Sequence, residues 1–218
     1  MWAGVVAAIL IAVLVYNRVQ KLLFYAMARW LRFNSELTDK TIGLSLDAKL
    51  AAYDGKPNIM LGSSTMAFMP ALNDDYCNLG VPSLCTHHLI RSLPLLRQVR
   101  AKRVVFYAGI NDTILNIPPQ TIADNISEIM DALEREDSIP NILYIPLIES
   151  PYQRYLGARR LAYIRAINVA VGDALREFDN VTIIRPTFVD RMFGMDKLHL
   201  NKRGNAHMRA EILAALKS

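Results

Sequence analysis

Cysteine is scarce in this chain of 218 residues, which has only Cys77 and Cys85. Two cysteines are too few for a disulfide scaffold, and their spacing matches no zinc-binding pattern. Two buried thiols are therefore expected rather than a bridge. Histidine is nearly as rare, with four in all. The adjacent His87 and His88 are not expected to share one helical face, so neither a metal nor a cofactor is expected. Internal repeats, low-complexity tracts and the composition shift of a second domain are missing as well. The net charge is +5, and most of it comes from Arg18, Lys21, Arg29 and Arg32, in a stretch with no acidic residue. The remainder is near neutral and has no basic stripe interleaved with aromatics, so nucleic acid is excluded as an expected partner.

Hydrophobic residues make up 52% of the chain, enough to fill one sizeable core. The apolar run Trp2 to Tyr16 would be about 22 Å long as a helix, against a hydrocarbon core of ~30 Å. No basic residue precedes the run and no small-x-small cleavage site follows it, which argues against a removed signal peptide. Beyond it, Arg18, Lys21, Tyr25, Arg29 and Arg32 fall within an ~80° arc of one helix face. Val19, Leu22, Leu23, Ala26, Trp30 and Phe33 take the other side. This pattern predicts a basic helix lying among lipid headgroups. Residues 1–33 are read as a single N-terminal membrane anchor, placed in a bacterial inner membrane. The positive-inside rule puts the following domain in the cytoplasm, while a short span with an interfacial continuation allows the other side.

Residues 34–56 read as a polar linker with a short helix around Leu46 to Tyr53, closed by Asp54-Gly55-Lys56-Pro57. The domain proper is 57–218. Strands are expected near Ile59–Leu61, Tyr76–Leu79, Arg103–Tyr107, Ile142–Ile145 and Val181–Ile184. Helices are expected near Thr86–Arg100, Pro119–Glu136, Arg159–Phe178 and Lys202–Leu216. This alternation predicts a three-layer α/β/α sandwich around a five-stranded parallel sheet, flavodoxin-like in kind. Ligands of such sheets bind beyond the carboxyl ends of the strands. Gly62-Ser63-Ser64, Gly80 and Gly109-Ile110-Asn111 each follow a predicted strand and should converge there.

Asp196-Lys-Leu-His199 puts a carboxylate and an imidazole three residues apart just before the last helix. Acyl transfer by serine needs a hydroxyl, a base, an acid to hold the base's tautomer, and donors for the developing oxyanion. Ser64 is the candidate nucleophile, His199 the base and later acid, and Asp196 the orienting carboxylate. The backbone N–H groups of Ser64 and Gly80 and the side-chain amide of Asn111 are the candidate oxyanion donors. Taken singly, Ser64 reads as a helix cap, Asn111 as a turn residue and Gly80 as a positive-φ position. Jointly, in strand context and in this order, they point to a serine hydrolase. Asp112 is read as a brace for its loop, and Asn201 and Gly204 as shaping the start of the last helix.

These blocks resemble the SGNH hydrolases, the GDSL lipase/esterase family, across roughly Pro57 to Ala214. Gly109-Ile-Asn111-Asp112 and Asp196-Lys-Leu-His199-Leu-Asn-Lys-Arg-Gly204 match its pattern closely. The first block departs from it, because Ser63 stands where the family usually has aspartate. Ser64 aligns with the nucleophile, and Ser63 is the other hydroxyl in the turn. The resemblance implies an esterase or deacylase acting through an acyl-serine on O-acetyl carbohydrate, lipid or other small acyl esters. The same site could instead pass its acyl group to a cell-surface polysaccharide as an O-acyltransferase. A non-catalytic membrane-attached binding domain is the reading from another class.

Overall fold

The computed structural model describes residues 11–16, 18–20, 23, 35–134 and 140–217. The chain divides into two compact units, Met1–Thr38 and Asp39–Ser218. In the first unit, residues 11–16 and 18–20 are helical, and Gln20 donates to the Tyr16 hydroxyl at 3.0 Å. Ile11, Val13, Leu14, Val15, Tyr16, Val19 and Leu23 are exposed. Among the described residues no helix is long and apolar enough to cross a membrane. Much of the anchor expected over 1–33 lies outside the described residues.

The second unit is built on five parallel strands: β1 (Asn58–Gly62), β2 (Tyr76–Asn78), β3 (Arg103–Tyr107), β4 (Asn141–Tyr144) and β5 (Val181–Ile183). Their order is β2-β1-β3-β4-β5. All five residues of β1 are buried, as a strand covered on both faces must be, which explains why Asn-Ile-Met-Leu-Gly is a near-continuous apolar run. The chain leaves β1 toward β2 on one side and β3 lies on the other, so the order reverses between β1 and β3. A crevice forms at such a point, outside the carboxyl ends. The turns after β1 and β3 carry Ser64 and Asn111.

All five expected strands are found, with ends shifted by a residue or so. The helices differ more. The helix expected over Thr86–Arg100 is two, α3 (Thr86–Arg91) and α4 (Leu93–Leu96), parted at Ser92 with Pro94 in the first turn of the second. Proline lacks the N–H that would continue the ladder, and here it starts a new helix instead. The short helix around Leu46 to Tyr53 is the end of a longer one, α1 (Ser35–Ala51). Leu46 and Leu50 of α1 enter the core. Asp47 accepts from the Ser92 hydroxyl at 2.6 Å. Lys49 donates to the carbonyls of Asn78 (3.2 Å) and Gly80 (2.7 Å). The stretch read as a linker is thus bonded to the loops at the sheet's carboxyl edge.

The remaining helices are α2 (Ser64–Ala67), α5 (Pro119–Leu133), α6 (Pro151–Tyr155), α7 (Ala158–Ala174) and α8 (Lys202–Ala215). α5 presents Ile122, Ala123, Ile126, Ile129, Met130 and Leu133 to the core, the three-to-four spacing of an amphipathic helix. α6 was not expected. Ser150 caps it and Gln153 closes a capping box, a signal the sequence does contain.

Candidate active site

The nucleophile turn depends on Gly62. Its φ is 141°, and a Cβ there would lie 1.9 Å from the Tyr107 carbonyl oxygen of β3. Only glycine lets β1 end this close to its neighbour. The Tyr107 carbonyl accepts from the Ser63 N–H at 3.0 Å, and α2 starts at the next residue. The Ser63 hydroxyl is fully buried and has no partner. The Ser64 hydroxyl instead meets His199 Nε2 at 3.2 Å. As the first residue of its helix, Ser64 has an N–H with no intrahelical acceptor.

His199 Nδ1 lies 2.6 Å from Asp196 Oδ2. If that nitrogen carries the ring proton, Nε2 presents a lone pair to the serine. Asp196 Oδ1 also accepts from the N–H groups of Leu198 (3.0 Å) and His199 (3.1 Å). Partial burial pushes the Asp196 carboxyl up, but the His199 ring and these N–H groups outweigh it and hold the carboxyl below its ordinary value. The loop is stitched locally. Gly194 N–H donates to the His199 carbonyl at 2.7 Å, and Lys197 takes a left-handed turn at φ 56°. Asn201 caps α8 through the N–H groups of Arg203 and Gly204 and donates to the carbonyls of Arg191 and Phe193. Gly204 has room for no side chain, since a Cβ would sit 2.2 Å from the Met192 carbonyl oxygen.

Asn111 follows β3 after Gly109, whose φ is 101°. One N–H of its amide donates to the Leu84 carbonyl at 2.9 Å, leaving its second donor uncommitted. Asp112 is fully buried. It accepts the Thr86 N–H on both oxygens (3.0 and 3.1 Å) and the Thr86 hydroxyl on one (2.5 Å). Burial pushes its carboxyl up, against the pull of these bonds. The neighbouring loop is equally fixed: Arg160 donates to the Thr113 carbonyl at 2.7 Å, and the Tyr163 hydroxyl donates to the Ile117 carbonyl.

Gly80 departs from expectation. Its N–H, expected to be a free donor, is bonded to Asn78 Oδ1 at 2.9 Å. A Cβ there would lie 2.4 Å from the Ala67 nitrogen of α2, so glycine is required for close packing beneath the nucleophile helix. Asn-x-Gly carries the signal of an Asx turn, which accounts for that bond.

The histidine pair is a second correction. The rings of His87 and His88 do come together, with centroids 4.1 Å apart, because both reach back to Asp39 on α1. His87 Nε2 and the Arg91 guanidinium contact this carboxylate, and His88 Nε2 lies 2.9 Å from it without full hydrogen-bond alignment. Cys85 completes a group whose ligand atoms lie within 4.8 Å of one another. Its geometry suits hydrogen bonding better than a metal: the Cys85 N–H donates to His88 Nδ1 at 3.0 Å, which puts the neutral ring's proton on Nε2, facing Asp39. Burial, with the neighbouring His87 second, pushes His88 down to about 4. Cys77 and Cys85 are free thiols. His207 donates to the Thr187 carbonyl at 2.9 Å, away from the site. No motif or spacing in the sequence singles out Phe68. It is 54% exposed, and its ring meets His199 edge-on with centroids 5.5 Å apart.

The GDSL-like lipase/acylhydrolase family model matches residues 60–207. No curated protein gives a significant sequence match. Among solved structures, a Streptococcus pneumonia protein provisionally described as a platelet activating factor superposes with a TM-score of 0.69 at 18% identity, over 88% of this chain and 99% of its own. A GDSL-like lipase from Bacteroides thetaiotaomicron gives 0.63 at 16%, over 78% and 94%. A psychrotrophic esterase from Pseudoalteromonas gives 0.57 at 15%, over 74% and 97%. These structures share the fold, and the family model spans the segments that carry Ser64, Asn111, Asp196 and His199. The chain belongs to the GDSL-like lipase/acylhydrolase family and is a serine hydrolase of esters.

Proposed function

We propose that Ser64, His199 and Asp196 hydrolyse an acyl ester through an acyl-serine intermediate. The observation that carries this reading is the unbroken chain Asp196 Oδ2, His199 Nδ1, His199 Nε2, Ser64 Oγ, with links of 2.6 and 3.2 Å. Ser64 Oγ attacks the ester carbonyl carbon while its proton passes to His199 Nε2. The imidazolium is stabilised by Asp196, which stays ionised. The oxyanion is met by the Ser64 N–H and the second N–H of Asn111. The carbon–oxygen bond then breaks, and His199 returns the proton to the departing alkoxide. Water attacks the acyl-serine by the same proton path, releasing the carboxylic acid and restoring the hydroxyl. Gly80 packs beneath α2 in this scheme and is not a donor.

Phe68 favours an ester with an apolar substituent, as in a lipid acyl ester, over an O-acetyl sugar. Its exposed ring packs edge-on against His199, the base that protonates the leaving group, and so offers apolar surface to an ester substituent on that side. Burying apolar area there stabilises the complex by about 25 cal/mol per Å². Residues 1–33 serve as a membrane anchor in the same proposal. The sequence pattern supports it, as do the exposed apolar side chains of Ile11, Val13, Leu14, Val15, Tyr16, Val19 and Leu23.

A fluorophosphonate probe tests both parts. It should label the full-length chain and a chain starting at Asn34, but not Ser64→Ala. Only the full-length chain should need detergent for extraction. Labelling that survives Ser64→Ala would overturn the nucleophile, and detergent-free solubility of the full chain would overturn the anchor.

A further inference from the structure

The Asn111 amide can donate to an oxyanion only if it is held the right way round. An asparagine amide turned by 180° would present its oxygen and repel the developing charge. The Leu84 carbonyl makes this choice, because it accepts one Asn111 N–H at 2.9 Å and would repel the amide oxygen. With one N–H engaged, the planar group's second N–H has a fixed direction. The Leu84 carbonyl belongs to the turn entering α3, and Thr86, two residues on, ties that turn to the β3 turn a second time. Thr86 gives both its N–H and its hydroxyl proton to Asp112, the neighbour of Asn111. Asn125 of α5 donates to the Thr86 hydroxyl oxygen at 2.8 Å. Every proton in this chain points the same way, from Asn125 through Thr86 to the carboxylate.

Taking a carboxylate out of water is costly, and packing alone would be served better by an apolar pair. We propose that Thr86 and Asp112 are positioning residues that fix the Leu84 carbonyl against Asn111 and so set the direction of its free N–H, an inference that rests on Asn111 acting as an oxyanion donor. Neither residue touches the ester.

The test compares Thr86→Val, Thr86→Ser and Asn111→Ala in steady-state hydrolysis of p-nitrophenyl acetate. Affinity is measured alongside for a boronic acid that forms a tetrahedral adduct on serine. Thr86→Val should lower kcat about tenfold, a fraction of the loss from removing a donor outright. KM should stay within twofold, and boronate binding should weaken in step with kcat. Thr86→Ser should restore all three. An unchanged kcat in Thr86→Val, a change in KM alone, or an equal loss in Thr86→Ser would overturn the inference. If Thr86→Val does not fold, Asn125→Ala takes its place, with an expected kcat loss of about threefold and none if the inference is wrong. Should Asn111→Ala itself keep its kcat, the donor reading falls and the positioning role with it. Loss in Asn111→Ala with none in Thr86→Val sinks the positioning role alone.

Discussion

On one side of Ser64 stand Asp196 and His199, 52% and 36% exposed. On the other, Asp112 and Thr86 are sealed from solvent. The two carboxylates are pushed in opposite directions, Asp196 down through its hydrogen bonds against a partial burial, Asp112 up by burial. Water and salt screen the first pair, so its attraction is weak and its geometry is held by a locally bonded loop. The second is preorganised in a medium of low dielectric, where dipoles do more. This site concentrates its rigidity on the oxyanion side and leaves the base accessible.

The largest expected effect tests the rigid side. Asn111→Ala should lower kcat by about 10²–10³-fold with little change in KM, because an oxyanion donor acts in the transition state. Steady-state kinetics on p-nitrophenyl acetate would show it, and a KM effect with kcat preserved would make Asn111 a substrate-binding residue. The exposed side should be more tolerant. Asp196→Asn is expected to cost about 10- to 10²-fold in kcat, below the ~10⁴ known for buried triads, since water can replace part of what the carboxylate supplies. A loss as large as that of Ser64→Ala would erase the contrast between the two sides.

The smallest effect lies on stability and comes from the cluster behind the rigid side. Folded His88 stays neutral down to about pH 4, while in the unfolded chain it takes up its proton near 6.5. The unfolded state therefore binds more protons in that window, and stability present above 6.5 is lost as the pH falls toward 4. Asp39, His87 and Arg91 face the ring. Asp39 is held below its ordinary value: burial opposes this, and the contacts to His87 and Arg91 outweigh it. Its own contribution fades only at lower pH. In His88→Asn, whose side-chain oxygen can still accept from Cys85, the melting temperature should fall less steeply between pH 6.5 and 4, by a few degrees. Identical slopes would show that the ring's proton is not linked to folding.

What was readable in the sequence follows from range. The strands were legible because a buried parallel strand is a local run of apolar residues. Asp196 and His199 were legible because three residues separate them. Of α1 only the end around Leu46 and Leu50 was legible, because Ile42 is the one further apolar side chain it packs on the core among the described residues, and its other ties, from Asp39, Asp47 and Lys49, reach partners 29 to 52 residues away. No periodicity encodes such bonds. The pairing of Thr86 with Asp112 was hidden for the same reason, while the Asx turn that occupies the Gly80 N–H was local and open to detection.

Gly62 carries a consequence for how the gene can vary. A methyl group there would collide with β3, and parting β1 from β3 would displace Ser64 and Asn111 together. In a saturation library selected for ester cleavage, position 62 should return glycine alone. Its neighbour Ser63, whose buried hydroxyl binds nothing, should return alanine freely. Tolerance would then change between codons 62 and 63, neither of which encodes a group that reacts, as sharply as it does between Ser63 and the nucleophile Ser64.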